Sequence, residues 1–210
     1  PECYLSAVSR LSESAKSVSL YNYESYLKNL GINIPAVSIT EGTYNLQFER
    51  LKSKLLELHA QNNDIMGWIK IDGTNINYPL VKGKDNTWYL QHAPNGEFFR
   101  AGSVFVDYRC TTNITNNQNT VIYGHNMANE SMFGHVLNFI RSEEFFQNTK
   151  IVIYTLDGIY TFEPFAAFNT KAYYPYFRTD FSSESDFLTF ANTMKNNSMW
   201  KKDITFSPDD

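Results

Sequence analysis

Short runs of β-branched and aromatic residues, separated by turn residues, fill the chain from Met66 onward. Two of the intervening turns are Asp-Gly pairs, Asp72-Gly73 and Asp157-Gly158, and each lies between two such runs. Asp-Gly is a strong signal for a tight β-hairpin because both residues tolerate the positive φ that such turns require. The pattern therefore predicts hairpins over residues 66–81 and 150–168, and with them a mainly β fold.

The rest of this region adds strands and helices between the hairpins. Further strands are predicted over residues 103–108, 120–123 and 203–206. Apolar residues at helical spacing predict helices over residues 44–61, 132–146 and 186–195. An antiparallel barrel with helices inserted between its strands accounts for this order of elements.

The first 43 residues differ in composition and in hydrophobic pattern. They are rich in Ser, and apolar residues at Leu5, Val8 and Leu11 follow helical spacing, which predicts one or two short helices before Leu30. Gly and Pro bracket the segment from Gly31 to Gly42, which is typical of a linker. We therefore divide the chain into a helical N-terminal extension with its linker, residues 1–43, and a barrel domain, residues 44–210.

Composition excludes several classes of function. The 210 residues are 42% hydrophobic, enough for a full core, and the net charge of −4 comes without a basic stripe that would bind nucleic acid. The sequence contains no apolar run of about 18 residues, so a membrane anchor is expected only upstream of Pro1. Cys3 and Cys110 form neither a disulfide framework nor a metal-ligand pair, and we predict no metal and no cofactor.

A histidine at a strand end is the strongest candidate for chemistry. The run Thr120-Val-Ile-Tyr-Gly-His125 stops at a Gly and presents His125 before the polar residue Asn126. Imidazole both gives and takes a proton near neutral pH, so His125 is predicted to act as an acid and base. A histidine alone performs no covalent chemistry, however, and no cysteine follows it in the sequence.

Other polar residues favour structural roles. The remaining histidines show no metal-ligand spacing and are predicted at surface or packing positions; they are His59, His92 and His135. Cys110 is predicted to be an ordinary thiol, and Arg178 to pair with Asp180 or to cap a loop. Asp107 and Asp157, near strand ends, are predicted in turns or in solvent.

Several motifs together resemble those of class B sortases. They are Met66-Gly-Trp-Ile-Lys-Ile-Asp-Gly-Thr-Asn-Ile-Asn-Tyr-Pro-Leu-Val81, Ala101-Gly-Ser-Val-Phe-Val-Asp-Tyr-Arg109, Asn119-Thr-Val-Ile-Tyr-Gly-His-Asn-Met127 and Tyr176-Phe-Arg-Thr-Asp-Phe181. Their order and approximate spacing resemble the family over residues 44–210. The resemblance implies a mainly β, sortase-type closed antiparallel barrel with inserted helices and an N-terminal helical appendage.

The resemblance also implies a reaction. Such an enzyme is a cysteine transpeptidase on the outer face of a Gram-positive membrane, which cleaves the sorting-signal peptide of a surface protein after Thr. It holds the acyl group as a thioester and passes it to an amine of a peptidoglycan precursor or of a pilin. By position, His125 matches the family histidine, which protonates the leaving amine and deprotonates the incoming one. Residues that match groove positions for the sorting signal, with ordinary packing as the alternative, are Asn86, Leu90, Tyr123, Tyr176 and Phe177.

The family's Cys and Arg have no counterpart in the sequence and are expected beyond Asp210, so residues 1–210 alone are expected to be inactive. A closed barrel without its last two strands would leave buried backbone groups unpaired, at about 1–3 kcal/mol each, which favours a longer natural chain. Two alternatives stay open: a non-catalytic barrel that binds a sorting signal or partner, and a hydrolase that releases the acyl group to water.

Overall fold

The structure, a computed structural model, describes residues 2–7 and 41–206, with side chains described over residues 48–206. Most of the predicted N-terminal extension, residues 8–40, lies outside the described residues, as do residues 207–210. Where the extension is described, the prediction of a helix is wrong, because residues Glu2–Ala7 form a strand. Their backbone groups pair with another strand of the sheet, and such tertiary pairing overrides a local helical pattern.

Seven strands form one curled sheet over the described residues. They are β1 Glu2–Ala7, β2 Ile65–Ile71, β3 Asn77–Val81, β4 Val104–Val106, β5 Thr120–His125, β6 Ile151–Thr155 and β7 Ile159–Phe162. The order across the sheet is β1-β5-β4-β3-β2-β6-β7, which leaves β1 and β7 at the edges within the described chain. The predicted mainly β fold with inserted helices is confirmed, although β3 and β4 pair in parallel and the sheet is therefore not wholly antiparallel.

Both predicted hairpins are confirmed. Strands β2 and β3 pair antiparallel across a turn in which Gly73 has a φ of +73°, the left-handed conformation that glycine adopts most readily. Strands β6 and β7 pair antiparallel with Tyr154 opposite Ile159. The local turn chemistry is therefore sufficient to place four of the strands.

The described helices are α1 Glu41–Gln61, α2 Asn138–Arg141, α3 Glu143–Asn148 and α4 Glu184–Asn197. The single helix predicted over residues 132–146 is broken into a 3₁₀ turn, Gly134–Leu137, followed by α2 and α3. The break falls at Ser142, whose side chain accepts a hydrogen bond from the backbone N–H of Phe145 and so begins a new helix. No helix in the described part of the chain is both long and apolar enough to cross a bilayer.

The strand predicted over residues 203–206 is wrong. Residues 201–206 have no regular structure; Ile204 and Phe206 pack instead against the apolar cluster of α4. The Nζ atom of Lys195, in α4, donates a hydrogen bond to the carbonyl oxygen of Ile204 and fixes this segment on the helix. Apolar alternation alone therefore does not distinguish this packed segment from a strand.

The sheet is buried on both faces. Ile69 and Ile71 of β2 lie in the larger core cluster, whereas Trp68, directly before Ile69, points to the other face and packs with Leu55 and Leu58 of α1. This alternation follows from the two-residue period of a strand. Strand β5 lies between β4 and β1, and Glu2 of β1 pairs with His125 at its C-terminal end, so the backbone of His125 is held within the sheet.

Candidate functional site

His125 is the last residue of β5, and its side chain is half-buried. Its Nε2 atom lies 2.7 Å from the carbonyl oxygen of Leu90, which ends the 3₁₀ turn Trp88–Leu90. A carbonyl oxygen only accepts hydrogen bonds, so Nε2 must carry a hydrogen and donate it. The structure thus brings together two of the residues that the sequence predicts for the site, and Leu90 contacts His125 through its main chain.

Phe133 holds the backbone of His125 in place through a hydrogen bond and through its buried ring. The N–H of Phe133 donates to the carbonyl oxygen of His125 over 2.9 Å, and the Phe133 ring is fully buried. Gly124 passes directly over this ring, and a Cβ atom at that position would lie 2.7 Å from it. Gly124 therefore permits a close approach between β5 and the core. This approach fixes the position of the His125 backbone.

Asp107, directly after β4, is fully buried and collects hydrogen bonds from three side chains. It accepts from Nε and Nη2 of Arg109 at 2.8 and 2.7 Å, from Oη of Tyr123 at 2.7 Å and from Nδ2 of Asn86 at 2.9 Å. Of the two roles predicted for Asp107, the turn is confirmed, because its carbonyl oxygen accepts from the N–H of Cys110 over 3.0 Å. The solvated role is wrong, because the donors around the carboxylate replace the water that it loses. Burial raises the pKa of Asp107, but the hydrogen bonds from Arg109, Tyr123 and Asn86 outweigh it and lower the pKa to about 2.

Tyr123 and Arg109 keep the protons that they donate to Asp107. Burial and the hydrogen bond to Asp107 both raise the pKa of Tyr123, so its hydroxyl stays protonated. The hydrogen bond to Asp107 likewise raises the pKa of Arg109. Asn86 donates to Asp107 and also accepts from the backbone N–H of Tyr108 over 3.0 Å. Because Tyr123 and His125 are two residues apart on β5, they face the same side of the sheet, and the network supports the surface next to His125.

Phe177 joins the same network through its main chain. Nη2 of Arg109 donates to the carbonyl oxygen of Phe177 over 2.8 Å, and the guanidinium lies 5.9 Å from the centre of the Phe177 ring. The buried ring of Tyr176 packs edge-on against Phe177, with centroids 5.4 Å apart. Asn86, Tyr123 and Phe177 therefore converge on the Asp107–Arg109 pair, which the sequence reasoning missed, and Tyr176 packs behind them.

Of the two roles predicted for Arg178, the ion pair with Asp180 is wrong, whereas the loop cap agrees with a long hydrogen bond to the Asp180 carbonyl oxygen. Arg178 forms a two-pronged pair with Asp186, at 2.9 Å from Nη1 to Oδ1 and 2.6 Å from Nη2 to Oδ2. It reaches Asp180 only at the backbone carbonyl, over 3.5 Å. Asp186 lies in the first turn of α4 and presents both carboxylate oxygens to the planar guanidinium, a geometry that Arg favours.

Cys110 is unsuited to nucleophilic attack. Its side chain is buried, and its Sγ atom lies 3.6 Å from the carbonyl oxygen of Asn119, to which the thiol donates. Burial raises the pKa of the Cys110 thiol, which disfavours the reactive thiolate. Cys3 is placed only by its backbone, opposite Gly124 in the β1–β5 register. Among the described residues, no group of three or more His, Cys, Asp or Glu could hold a metal ion.

The chain is similar in sequence to known proteins, although not to a known family model. No protein-family model matches the chain. The chain is 33% identical over 164 residues to sortase B of Staphylococcus aureus (strain NCTC 8325 / PS 47), an alignment that covers 77% of this chain and 66% of the relative. The chain thus spans just under two thirds of the length of that curated relative.

Solved structures show the same likeness in three dimensions. A mutant form of Clostridium perfringens sortase B is 34% identical with a TM-score of 0.70, over 77% of this chain and 76% of that chain. A Staphylococcus aureus sortase B–substrate complex is 29% identical with a TM-score of 0.72, over 90% of this chain and 86% of that chain. The likeness in sequence and the likeness in fold therefore point to the same set of proteins.

Proposed function

The chain belongs to the sortase B family, and on that premise we propose that it is a cysteine transpeptidase that transfers surface proteins to a cell-wall amine. In this reaction a thiolate attacks the carbonyl carbon of the sorting-signal Thr. The C–N bond breaks, the amine leaves with a proton, and a thioester forms. An incoming amine then attacks the thioester, loses a proton, and releases the thiol with a new amide bond.

The observation that carries the proposal is the position of His125 at the end of β5 within the matching motif. The proposed role of His125 is to give the proton to the leaving amine and to take it from the incoming one. Its imidazole is held by the Leu90 carbonyl at 2.7 Å, so one nitrogen is occupied and the other is left to exchange protons.

We propose that neither Cys110 nor the two arginines of the described site supply the rest of the chemistry. Cys110 is buried with a raised pKa, and Arg109 and Arg178 are engaged with Asp107 and Asp186. The nucleophile and the arginine that stabilises the oxyanion are therefore assigned to residues beyond Asp210, in the order that the family motifs follow.

The sorting-signal groove is proposed at the surface that Asn86, Leu90, Tyr123, Tyr176 and Phe177 share with His125. Three of them are tied to the Asp107–Arg109 pair, so the groove wall is ordered before a peptide arrives. Preorganisation of this kind lowers the entropic cost of binding. The proposed partners are a sorting-signal peptide and a peptidoglycan amine, at the outer face of a Gram-positive membrane, with the anchor outside this sequence.

A peptide assay tests the proposal. The full-length protein encoded by the gene is incubated with a fluorogenic peptide of Asn-Pro-Gln-Thr or Ser-Pro-X-Thr-Gly type, with and without an amine, and the products are identified by mass. We expect a new amide between the Thr and the amine. Cleavage that is indifferent to the amine would identify a hydrolase instead, and binding without cleavage would identify a non-catalytic barrel.

A further inference from the structure

The loop over residues 88–103 lies beside His125 and presents the Leu90 carbonyl to it. We propose that this loop positions His125. The Leu90 carbonyl holds His125 in the tautomer with hydrogen on Nε2, and the placement of that carbonyl depends on Gly102. The catalytic consequence rests on the proposed function, whereas the tautomer is a property of the folded protein alone.

Backbone hydrogen bonds on both sides of Leu90 fix the direction of its carbonyl group. The carbonyl of Tyr89 accepts from the N–H of Ser103 over 2.9 Å, and the carbonyl of Gln91 accepts from the N–H of Phe99 over 2.9 Å. The side chain of Tyr89 is buried, and its hydroxyl donates to Asp64 over 2.9 Å, which anchors the turn in the core. The Leu90 carbonyl is thus held between two residues, Tyr89 and Gln91, whose own carbonyl groups are fixed by hydrogen bonds across the loop.

Gly102 lies against this carbonyl group. A Cβ atom at residue 102 would lie 2.6 Å from the carbonyl oxygen of Leu90 and 2.4 Å from that of Tyr89, and its φ is +61°. Both contacts are with backbone atoms, which move only with the turn that carries them. Any side chain at this position therefore displaces the oxygen that accepts from His125.

The hydrogen bond at Nε2 determines which nitrogen of His125 exchanges protons. With hydrogen on Nε2, the neutral ring leaves Nδ1 as the base, and after protonation Nδ1–H becomes the acid. No hydrogen bond to Nδ1 is formed by the side chains described over residues 48–206. The Leu90 carbonyl therefore selects Nδ1 as the atom that exchanges protons with the two amines.

The chain offers a matched control for a test of Gly102. Gly96 lies in the same loop and has a φ of +83°, but a Cβ atom there would meet nothing within 4 Å. Gly96→Ala thus introduces a left-handed alanine without touching the Leu90 carbonyl. A difference between Gly102→Ala and Gly96→Ala reports the contact with the carbonyl rather than backbone strain in the loop.

The experiment uses the full-length protein labelled with ¹⁵N-histidine, as wild type, Gly102→Ala and Gly96→Ala. The ¹⁵N shifts of neutral His125 are expected to show hydrogen on Nε2 in the wild type and in Gly96→Ala, and a mixture of tautomers in Gly102→Ala. The kcat for transfer is expected to fall about 100-fold in Gly102→Ala with little change in KM, as for a misplaced catalytic group, and to stay near wild type in Gly96→Ala.

Three results would overturn the inference. They are a wild-type His125 with hydrogen on Nδ1, a folded Gly102→Ala with the wild-type tautomer and kcat, and equal losses in both variants. The first needs no variant, so it decides the question even if Gly102→Ala does not fold. A wild type with the expected tautomer but no transfer would sink the proposed function and leave the positioning of His125 supported.

Discussion

Two arginine–aspartate pairs stabilise different regions of the molecule, and their surroundings differ. Next to β4, the side chain of Asp107 is 0% exposed while that of Arg109 is 35% exposed. At the start of α4, the side chains of Asp186 and Arg178 are 27% and 37% exposed. Each arginine offers two nitrogens to its carboxylate, so the geometry is similar and the difference lies in burial and in further partners.

The buried pair joins parts of the chain that are far apart, whereas the exposed pair is local. Asp107 accepts from Asn86 and Tyr123, which are 21 and 16 positions away, and Arg109 reaches the Phe177 carbonyl, 68 positions away. Asp186 accepts from Arg178 and from Ser182, 8 and 4 positions away. Loss of Asp107 would therefore release several elements of the proposed groove, and loss of Asp186 would affect one segment, from Arg178 to the start of α4.

The largest effect is expected from Asp107→Asn. The amide removes the negative charge and turns one acceptor into a donor, which faces the donors of Arg109, Tyr123 and Asn86. Breaking a buried ion pair strands the remaining groups, and we expect the free energy of unfolding to fall by about 3 kcal/mol. Urea unfolding at neutral pH measures this, and a loss within error of zero would contradict the structural role of the pair.

The pH dependence of stability should carry the signature of Asp107. Its pKa is lowered from 3.8 to about 2 in the folded protein, so the stabilisation is fully present above pH 4 and is lost as pH falls toward 2. The shift corresponds to about 2.5 kcal/mol. In urea unfolding between about pH 5 and pH 2, the difference between wild type and Asp107→Asn should shrink by about 2 kcal/mol, most of this amount, because Asp107 is still half ionised in the folded protein at about pH 2. A constant difference over that range would show that Asp107 titrates normally.

A smaller effect is expected from Asp186→Asn. The carboxylate of the Arg178–Asp186 pair is partly open to solvent, which screens it more than that of Asp107, and Ser183 still caps α4 by accepting from the N–H of Asp186 over 3.2 Å. The loss in the free energy of unfolding should therefore lie clearly below that of Asp107→Asn under the same conditions. An equal or larger loss would remove the distinction between the buried and the exposed pair.

The same distinction between local and distant partners explains what the sequence could predict. The hairpins at Asp72-Gly73 and Asp157-Gly158 and the strand before His125 were predictable because turn residues and alternation act over a few positions. The break at Ser142 was missed because apolar spacing continues across it. Residues 203–206 alternate like a strand, but their partner is the apolar cluster of α4, which no local pattern reveals.

The candidate site was predictable only in part. His125 stands out because it follows a β-type run and a glycine, and the family motifs point to the residues of the proposed groove. The burial of Asp107 was missed because its donors come from three separate elements, and the only local sign is Arg109 two positions later. The sequence favours the nearer acid, Asp180, as the partner of Arg178, whereas the start of α4 brings Asp186 to it. Contacts made by tertiary folding account for each of these errors.

The role of His125 as acid and base is tested most directly by the rate of transfer from sorting-signal peptide to amine in full-length His125→Ala, with His135→Ala as the control. His135 is also half-buried, and it accepts from the N–H of Asn75 over 3.0 Å, away from β5. Loss of a general acid and base costs about 10²- to 10⁴-fold, so kcat/KM for transfer should fall at least about 100-fold in His125→Ala and stay close to wild type in His135→Ala. Full transfer by His125→Ala would contradict this role of His125.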